Sequence, residues 1–117
     1  DVQHDLDRLK LLAADAKLAP DDVIAPTCSL ANIGAVGVGT YMQPVIVPPQ
    51  LAMGAFGKVR RLPRFVGKND DQVYAASIMN VSWAGDHRFL DGATLARFHA
   101  AFKGYVENPV HMLVHLK

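Results

Sequence analysis

The stretch between residues 34 and 57 constrains this fold most, because glycine and proline there interrupt apolar residues repeatedly. The first glycines are Gly34, Gly37 and Gly39, and the prolines are Pro44, Pro48 and Pro49. Each glycine costs a helix about 1 kcal/mol relative to alanine, and proline fits poorly into a central strand. We therefore expect close backbone approach or a flexible loop at the glycines, followed by an extended segment outside any central strand.

The segments on either side of this stretch show clearer periodicity. Helical spacing of apolar residues predicts a helix over residues 2–18, with Asp1 as its N-cap and Pro20 ending it. Apolar composition predicts strands over 27–32, 51–57 and 73–83, an amphipathic helix over 92–107 and a short terminal segment over 110–116. The fold class expected from this order is α+β, with the strands crowded into the middle.

Composition excludes several classes of protein. The 117 residues suffice for one domain at most, and a hydrophobic content of 50% argues against disorder. A net charge of +1 is too small for a duplex nucleic-acid partner, and the single cysteine, Cys28, cannot form an internal disulfide. No apolar run approaches the roughly 18 residues of a membrane span, so we expect a soluble chain. The chain begins at Asp1 without a signal-peptide pattern, which predicts a processed protein or a piece of a longer one.

Charge is uneven along the chain. No acidic residue occurs between Asp22 and Asp70, whereas five basic residues do: Lys58, Arg60, Arg61, Arg64 and Lys68. One interpretation is a landing site for a phosphorylated ligand. The other is a solvated loop beside a strand.

The segment most capable of chemistry, residues 85–92, joins the clearest strand to the clearest helix. Strand-to-helix corners hold polar side chains rigidly and leave them exposed, and a histidine such as His87 can take a proton from a nucleophile near neutral pH. Asp91 could orient His87 or pair with Arg88. Alternatively, Asp91 is only a helix N-cap, His87 an ordinary turn residue and Arg88 a structural ion-pair partner.

Other candidates are weaker. His111 and His115 are spaced for one helix face but lack a nearby third ligand, so no metal site is expected. Cys28 has no adjacent base and is a small buried group rather than a nucleophile. His4 lies on a helix surface, and His99 lies beside an apolar stripe.

Several motifs together resemble a known family. The run D-H-R-F-L-D-G-A at 86–93 is similar to the D-H-R-x-x-D-G signature of 2-oxoacid dehydrogenase acyltransferases. Further matches are L-A-N-I-G at 30–34, Q-P-V-I-V-P-P-Q at 43–50 and G-A-F-G-K-V at 54–59. I-M-N-V-S-W-A-G-D-H-R at 78–88 and Y-V-E-N-P at 105–109 resemble the branched-chain type most.

The resemblance implies a fold and a site. It covers essentially the whole chain but only the C-terminal half of the family's catalytic domain. The implied fold is that of chloramphenicol acetyltransferase, a mixed sheet with flanking helices, assembled as homotrimers with active sites between subunits. His87 matches the general base that deprotonates the attacking thiol, and Asp91 matches the second acid of the motif. Asn32, Gly57 and Val59 fall where coenzyme A is held.

The resemblance also implies partners. Coenzyme A enters from one side and a dihydrolipoyl arm from the other, and that arm is carried by a lipoyl domain absent from residues 1–117. The peripheral-subunit-binding domain is likewise absent. The trimers build a larger core that works with decarboxylase and dihydrolipoamide dehydrogenase subunits. The implied location is the mitochondrial matrix in a eukaryote and the cytoplasm in a bacterium.

The chain departs from the family at one segment. The family usually reads S-N-I-G-S where this chain reads A-N-I-G-A, so hydroxyls are missing at Ala31 and Ala35. The first is the hydroxyl expected to stabilise the oxyanion, and losing such a donor costs on the order of 100- to 1,000-fold in rate. An alternative function is therefore a catalytically weakened scaffold that builds the core. An unrelated hydrolase using His87 and Asp91 would need a nucleophile that the sequence does not offer.

Overall fold

The computed structural model describes residues 1–23, 26–68 and 70–115. In chain order the elements are α1 (Val2–Ala14), a 3-10 turn (Pro20–Val23), β1 (Cys28–Asn32), a second 3-10 turn (Gly34–Val36), β2 (Ala52–Phe56), β3 (Arg60–Gly67), β4 (Asp70–Ile78), β5 (Val81–Gly85), α2 (Gly92–Glu107) and α3 (Val110–His115). The α+β class is confirmed. The predicted terminal segment corresponds to α3, except that Leu116 lies outside the described residues.

The strands form two separate sheets. In the first, β2 lies in the centre, parallel to β1 and antiparallel to β5. In the second, β3 and β4 form an antiparallel hairpin. The first sheet is therefore mixed, as the resemblance implied.

Helix α1 begins where the sequence predicts and ends earlier. Asp1 caps it, since the carboxylate accepts a hydrogen bond from the Gln3 backbone N–H at 3.0 Å. The predicted end at residue 18 is wrong, because Ala16 takes a left-handed conformation with φ of 55°. The Lys17 N–H then bonds back to the Leu12 carbonyl at 2.8 Å. These contacts satisfy the last carbonyls four residues before the expected end.

The predicted strand over residues 73–83 is also wrong in one respect, because it is two strands. The chain leaves the hairpin after β4 and enters the three-stranded sheet as β5. Asn80, between them, is held by two bonds: its backbone oxygen accepts from Gly57 N–H at 2.9 Å, and its side-chain amide donates to the Thr40 carbonyl at 2.7 Å. Both partners lie far away in sequence, so apolar periodicity alone does not reveal the break.

The basic stretch is not the solvated loop considered as one interpretation. Residues Arg60–Gly67 form strand β3 and pair with β4 from Arg60 opposite Ile78 to Gly67 opposite Asp70. The hairpin exposes apolar side chains, including Phe65 at 64%.

The glycines bring two loops into backbone contact. A Cβ atom at Gly34 would lie 2.5 Å from the Gly57 carbonyl oxygen, and a Cβ at Gly57 would lie 2.6 Å from the Gly39 carbonyl oxygen. The Lys58 N–H donates to that same Gly39 oxygen at 3.0 Å. Close backbone approach, one of the two alternatives expected for these glycines, is therefore found at Gly34 and Gly39, whereas nothing lies within 4 Å of a Cβ at Gly37.

Helix α2 packs on the three-stranded sheet through an aromatic cluster. The Trp83 ring lies edge-on to Phe98 and Phe102, with centroids 4.9 and 5.5 Å apart, and Phe56 stacks on Phe102 at 5.8 Å. Ala55, in the central strand, is 3% exposed and is the one buried hydrophobic side chain within the described ranges. The core therefore sits between β2, β5 and α2.

Among the described residues, no helix is both long and apolar enough to cross a membrane.

Candidate functional site

The corner between β5 and α2 is built around an internal ion pair. The Arg88 guanidinium binds the Asp86 carboxylate with Nη2 to Oδ2 at 2.7 Å and Nε to Oδ1 at 3.0 Å, and the Arg88 backbone N–H also donates to Oδ1. These bonds lower the pKa of Asp86. The Asp86 N–H donates to the Leu51 carbonyl at 2.8 Å, which ties the corner to the chain entering β2. The structural interpretation of Arg88 therefore holds, with Asp86 rather than Asp91 as its partner.

Asp91 is the N-cap of α2. Its Oδ1 accepts from the Thr94 backbone N–H at 2.6 Å. Hydrogen bonds from the Thr94 side chain and backbone lower the pKa of Asp91, and the nearby charge of His87 lowers it further. Asp91 is therefore an anion that both starts the helix and interacts electrostatically with His87.

His87 lies in the exposed turn that follows Asp86. Its side chain is exposed and its imidazole makes no hydrogen bond with any described residue, so the ring is accessible to a reacting group. The neighbouring Phe89 is exposed and lies under the Arg88 guanidinium at 5.5 Å. A base next to a fixed carboxylate is suited to accepting a proton and stabilising the resulting imidazolium.

The residues expected at the coenzyme site form a second group. The Asn32 Oδ1 accepts from the Ala35 N–H at 3.1 Å and so closes the turn after β1. Gly57 follows β2 directly beside it, because Asn32 pairs with Phe56. Val59 is exposed just beyond Gly57.

The two groups lie at opposite ends of the three-stranded sheet. Phe56 at the Asn32 end pairs with Val81, whereas Ala52 at the far end pairs with Gly85, just before His87. Four residues of strand, about 13 Å, separate these two rows of the sheet. The structure thus brings His87 to Asp91 and Asn32 to Gly57, and it keeps the first pair away from the second.

The structure adds one residue that the sequence analysis did not select. His99, on α2, accepts a hydrogen bond at Nδ1 from the Trp83 indole N–H at 2.9 Å. It also lines a cleft of about 510 Å³ between α2 and the segment that joins β4 to β5. The indole N–H of a half-buried tryptophan needs a hydrogen-bond acceptor. A tryptophan on a predicted strand, followed by a histidine on the apolar face of the next helix, is the sequence pattern that could have identified His99.

Cys28 and the histidine pair on α3 make no site with their neighbours. Cys28 is exposed rather than buried, contrary to expectation. The His115 ring bonds to the His111 backbone carbonyl at 2.9 Å instead of converging with its side chain. Within residues 1–23, 26–68 and 70–115, no three His, Cys, Asp or Glu side chains cluster as metal ligands would.

Comparison with known proteins identifies the family. The family model described as 2-oxoacid dehydrogenases acyltransferase (catalytic domain) matches residues 1–114. The chain is 49% identical over all 117 residues to the lipoamide acyltransferase component of the mitochondrial branched-chain alpha-keto acid dehydrogenase complex of Mus musculus, covering 24% of that protein. Identity to the Arabidopsis thaliana component of the same name is 43%, again over the whole chain and 24% of the relative. The acetyltransferase component of the Rickettsia typhi pyruvate dehydrogenase complex is 33% identical over 97% of this chain and 27% of the relative.

Solved structures share the fold. The Azotobacter vinelandii dihydrolipoamide acetyltransferase matches with a TM-score of 0.85 and 24% identity over 94% of this chain and 44% of its own. The cubic core of a pyruvate dehydrogenase multienzyme complex matches with a TM-score of 0.83 and 23% identity over 92% of this chain and 42% of its own. The predicted acyltransferase fold is therefore confirmed.

The chain spans about a quarter of the length of its curated relatives and under half of the solved chains. Its sequence and its fold point to the same family. The chain belongs to the 2-oxoacid dehydrogenase acyltransferase family, whose catalytic-domain model matches residues 1–114.

Proposed function

We propose that this chain is the C-terminal part of an acyltransferase catalytic domain that moves a branched-chain acyl group between dihydrolipoyl and coenzyme A thiols. The observation that carries the proposal is the 49% identity over all 117 residues to a branched-chain relative. Identity to a pyruvate-type relative is lower, at 33%. In this proposal coenzyme A is a substrate, and the lipoyl group arrives on a domain outside these residues.

His87 is the general base of the proposed reaction. The imidazole takes the proton of the attacking thiol, and the thiolate forms a C–S bond to the acyl carbon. The tetrahedral intermediate then collapses, the original C–S bond breaks, and the imidazolium returns its proton to the departing thiolate. Asp91, held anionic by Thr94, stabilises the imidazolium between these two steps.

Asn32, Gly57 and Val59 are proposed to hold coenzyme A at the other end of the sheet. Gly57 is buried, and the Gly39 and Asn80 carbonyl oxygens fill the space where its side chain would be. Its proposed part is therefore to let the loop after Asn32 pack against the end of β2 and so shape the coenzyme site. Exposed Lys58 lies between Gly57 and Val59, where it could face a phosphate group.

The separation of the two groups supports a site shared between subunits. About 13 Å of strand keeps His87 away from Asn32 within one chain, and a neighbouring copy that supplied the second group would bring the two together. A homotrimer that builds a larger core provides such a copy, since a heterologous contact closes into a ring. Decarboxylase and dihydrolipoamide dehydrogenase subunits are the proposed partners of that core. The proposed location is the mitochondrial matrix in a eukaryote, where the relatives are mitochondrial, and the cytoplasm in a bacterium.

The alternative function is a weakened scaffold. Ala31 lies half-buried on β1, on the face that also carries Ser29, and supplies no hydroxyl. A chain without that oxyanion donor would still assemble the core while transferring acyl groups slowly. Restoring a serine at this position separates the two functions.

The assignment of His87 is tested by His87→Ala in the assembled protein. We expect acyl transfer from an acyl-dihydrolipoamide to coenzyme A to fall about 100- to 10,000-fold, because the base is lost. Assembly measured by size-exclusion chromatography should not change, because the side chain makes no structural hydrogen bond. His4→Ala on α1 is the control and should keep the full rate. Undiminished transfer by His87→Ala would overturn the assignment.

A further inference from the structure

We infer that His99 is a positioning residue: its neutral ring holds Trp83, and through Trp83 it sets helix α2 and the His87–Asp91 corner. Only the measurement of acyl transfer in the test of this inference rests on the proposed function. Its structural basis is the 2.9 Å hydrogen bond from the Trp83 Nε1–H to the His99 Nδ1.

The bond requires one protonation state of His99. The indole N–H can only donate, so Nδ1 must be an unprotonated acceptor and the ring proton must sit on Nε2. A second proton would occupy Nδ1 and make both ring nitrogens donors. Protonated His99 therefore cannot accept from Trp83.

Trp83 has few alternative positions. A Cβ at Gly54 would lie 2.7 Å from the Trp83 ring, so the indole rests directly on the backbone of the central strand. Phe98 and Phe102 hold its other sides. The hydrogen bond is thus a polar tie between the sheet and α2 within an otherwise aromatic contact.

The tie lies on the same two elements as the corner. Trp83 lies on β5, four residues before His87. Helix α2 carries His99, and Asp91 is the N-cap of the same helix. At the corner itself a Cβ on Gly85 would come within 3.2 Å of Leu95, so helix and strand are in close contact there too. A shift of α2 on the sheet would therefore move Asp91 relative to His87.

Few other charges face His99. The ionisable side chains that line the cleft with it are Tyr41, from the segment before β2, and Lys103 and Glu107, from α2. Lys103 and Glu107 pair with each other at 3.8 Å. The cleft residues from 77 to 82, on β4, β5 and their junction, carry no ionisable group. His99 is therefore the one histidine among the described residues that line this cleft.

Trp83 is the only tryptophan in the chain, so its fluorescence reports the tie directly. We expect the emission of the wild-type protein to change as the pH falls from about 8 to about 5, because protonation removes the acceptor. His99→Asn places an amide oxygen near the position of Nδ1 and does not titrate, so its emission should stay constant. His4→Asn, which removes a distant exposed histidine, should behave like the wild type.

Acyl transfer provides the second readout. His99→Phe keeps an aromatic ring but removes the hydrogen-bond acceptor. We expect its kcat to fall about tenfold with a smaller change in KM, because loss of this hydrogen bond shifts Asp91 relative to His87. His99→Asn should stay within about twofold of the wild-type rate at pH 8. Its rate should also fall less steeply with acid, since an amide at position 99 keeps its acceptor when the pH is lowered.

These measurements have clear contrary outcomes. A pH-dependent emission change that persists in His99→Asn, or none in the wild type, would overturn the tie. A wild-type kcat in His99→Phe would overturn the positioning role. If His99→Phe does not fold, the emission and rate profiles of His99→Asn still decide both points. If the wild-type protein transfers no acyl group, the proposed function fails, and the fluorescence titration still tests His99 independently.

Discussion

At the scale of single residues, the corner 86–91 divides structural and chemical roles between neighbours. Asp86 and Arg88 bind each other and anchor the turn. Asp91 starts α2 and lies close enough to His87 for their charges to interact. His87 is left unbonded among the described residues, which is the state a general base needs before a thiol arrives.

Ala31 is the position at which we expect a single substitution to raise the rate of acyl transfer. We expect Ala31→Ser to raise kcat for acyl transfer on the order of 100-fold, because it restores an oxyanion donor. The rate would be measured at saturating coenzyme A and acyl-dihydrolipoamide. Ser29→Ala is the matched control on the same strand face and should leave the rate unchanged.

An unchanged kcat in Ala31→Ser would contradict this expectation. With a high wild-type rate, that result would place the oxyanion donor elsewhere in the site. With a negligible wild-type rate, it would favour the scaffold function.

At the scale of elements, two glycine-to-alanine substitutions distinguish a glycine in close backbone contact from one in open space. We expect Gly34→Ala to lower the free energy of unfolding by about 1–3 kcal/mol, because the new Cβ would press on the Gly57 carbonyl at 2.5 Å. Gly104→Ala in α2 should raise it by about 0.5–1 kcal/mol, since nothing lies within 4 Å of that Cβ and alanine favours helix. Urea denaturation of both variants and the wild type measures the difference. Equal stability of Gly34→Ala and the wild type would rule out the contact between these loops.

The β4–β5 junction shows how one apolar run can serve two sheets. Residues up to Ile78 pair with β3, and residues from Val81 pair with β2. Asn80 makes the change of partner possible, because bonds to Gly57 and Thr40 satisfy its backbone oxygen and side-chain amide there. The hairpin therefore projects from the three-stranded sheet instead of extending it.

At the scale of the whole molecule, the chain is extended and exposes much apolar surface. Its radius of gyration is 17.5 Å, whereas a compact domain of this length has about 13 Å. The β3–β4 hairpin exposes Phe65, Val66, Val73 and Tyr74, and an isolated two-stranded hairpin is only marginally stable in water. Exposed apolar surface of this extent favours packing against further protein, and the expectation that the 117 residues are half of a domain stays a prediction.

A shared active site can be tested by mixing two inactive variants. We expect His87→Ala and Asn32→Ala to be strongly impaired separately, and co-assembled trimers of the two to regain activity. Random mixing would leave about one quarter of the sites with both residues intact. The rate of acyl transfer after co-refolding equal amounts of the variants measures the recovery.

Separately refolded variants, combined afterwards, are the control and should stay inactive. No recovery in assembled mixed trimers would contradict a site shared between subunits, and it would place both groups within one subunit's site.

Local physics made several features predictable from sequence. Helix α2 has the predicted bounds, because its apolar stripe and the Asp91 cap lie within one continuous segment. Strands β1 and β2 fall within the predicted stretches for the same reason. The electrostatic interaction of His87 with Asp91 was also predictable, since only four positions along a capped turn separate them.

Features that depend on distant partners were not predictable in this way. Strand β3 carries four charged or proline residues among its eight and forms because β4 pairs with it. The acceptor role of His99 depends on Trp83, sixteen residues earlier. Neither partner is indicated by periodicity within the segment itself.

The sequence by itself determined the elements and the chemistry: capped helices, glycines suited to close contact, and a histidine beside a carboxylate at an exposed corner. Only the tertiary structure decided that His87 and Asn32 lie at opposite ends of one sheet, and that Trp83 finds its acceptor on α2. The physical reason is that caps and periodicity act over a few residues, whereas strand direction and register are set by hydrogen bonds between segments far apart in the chain.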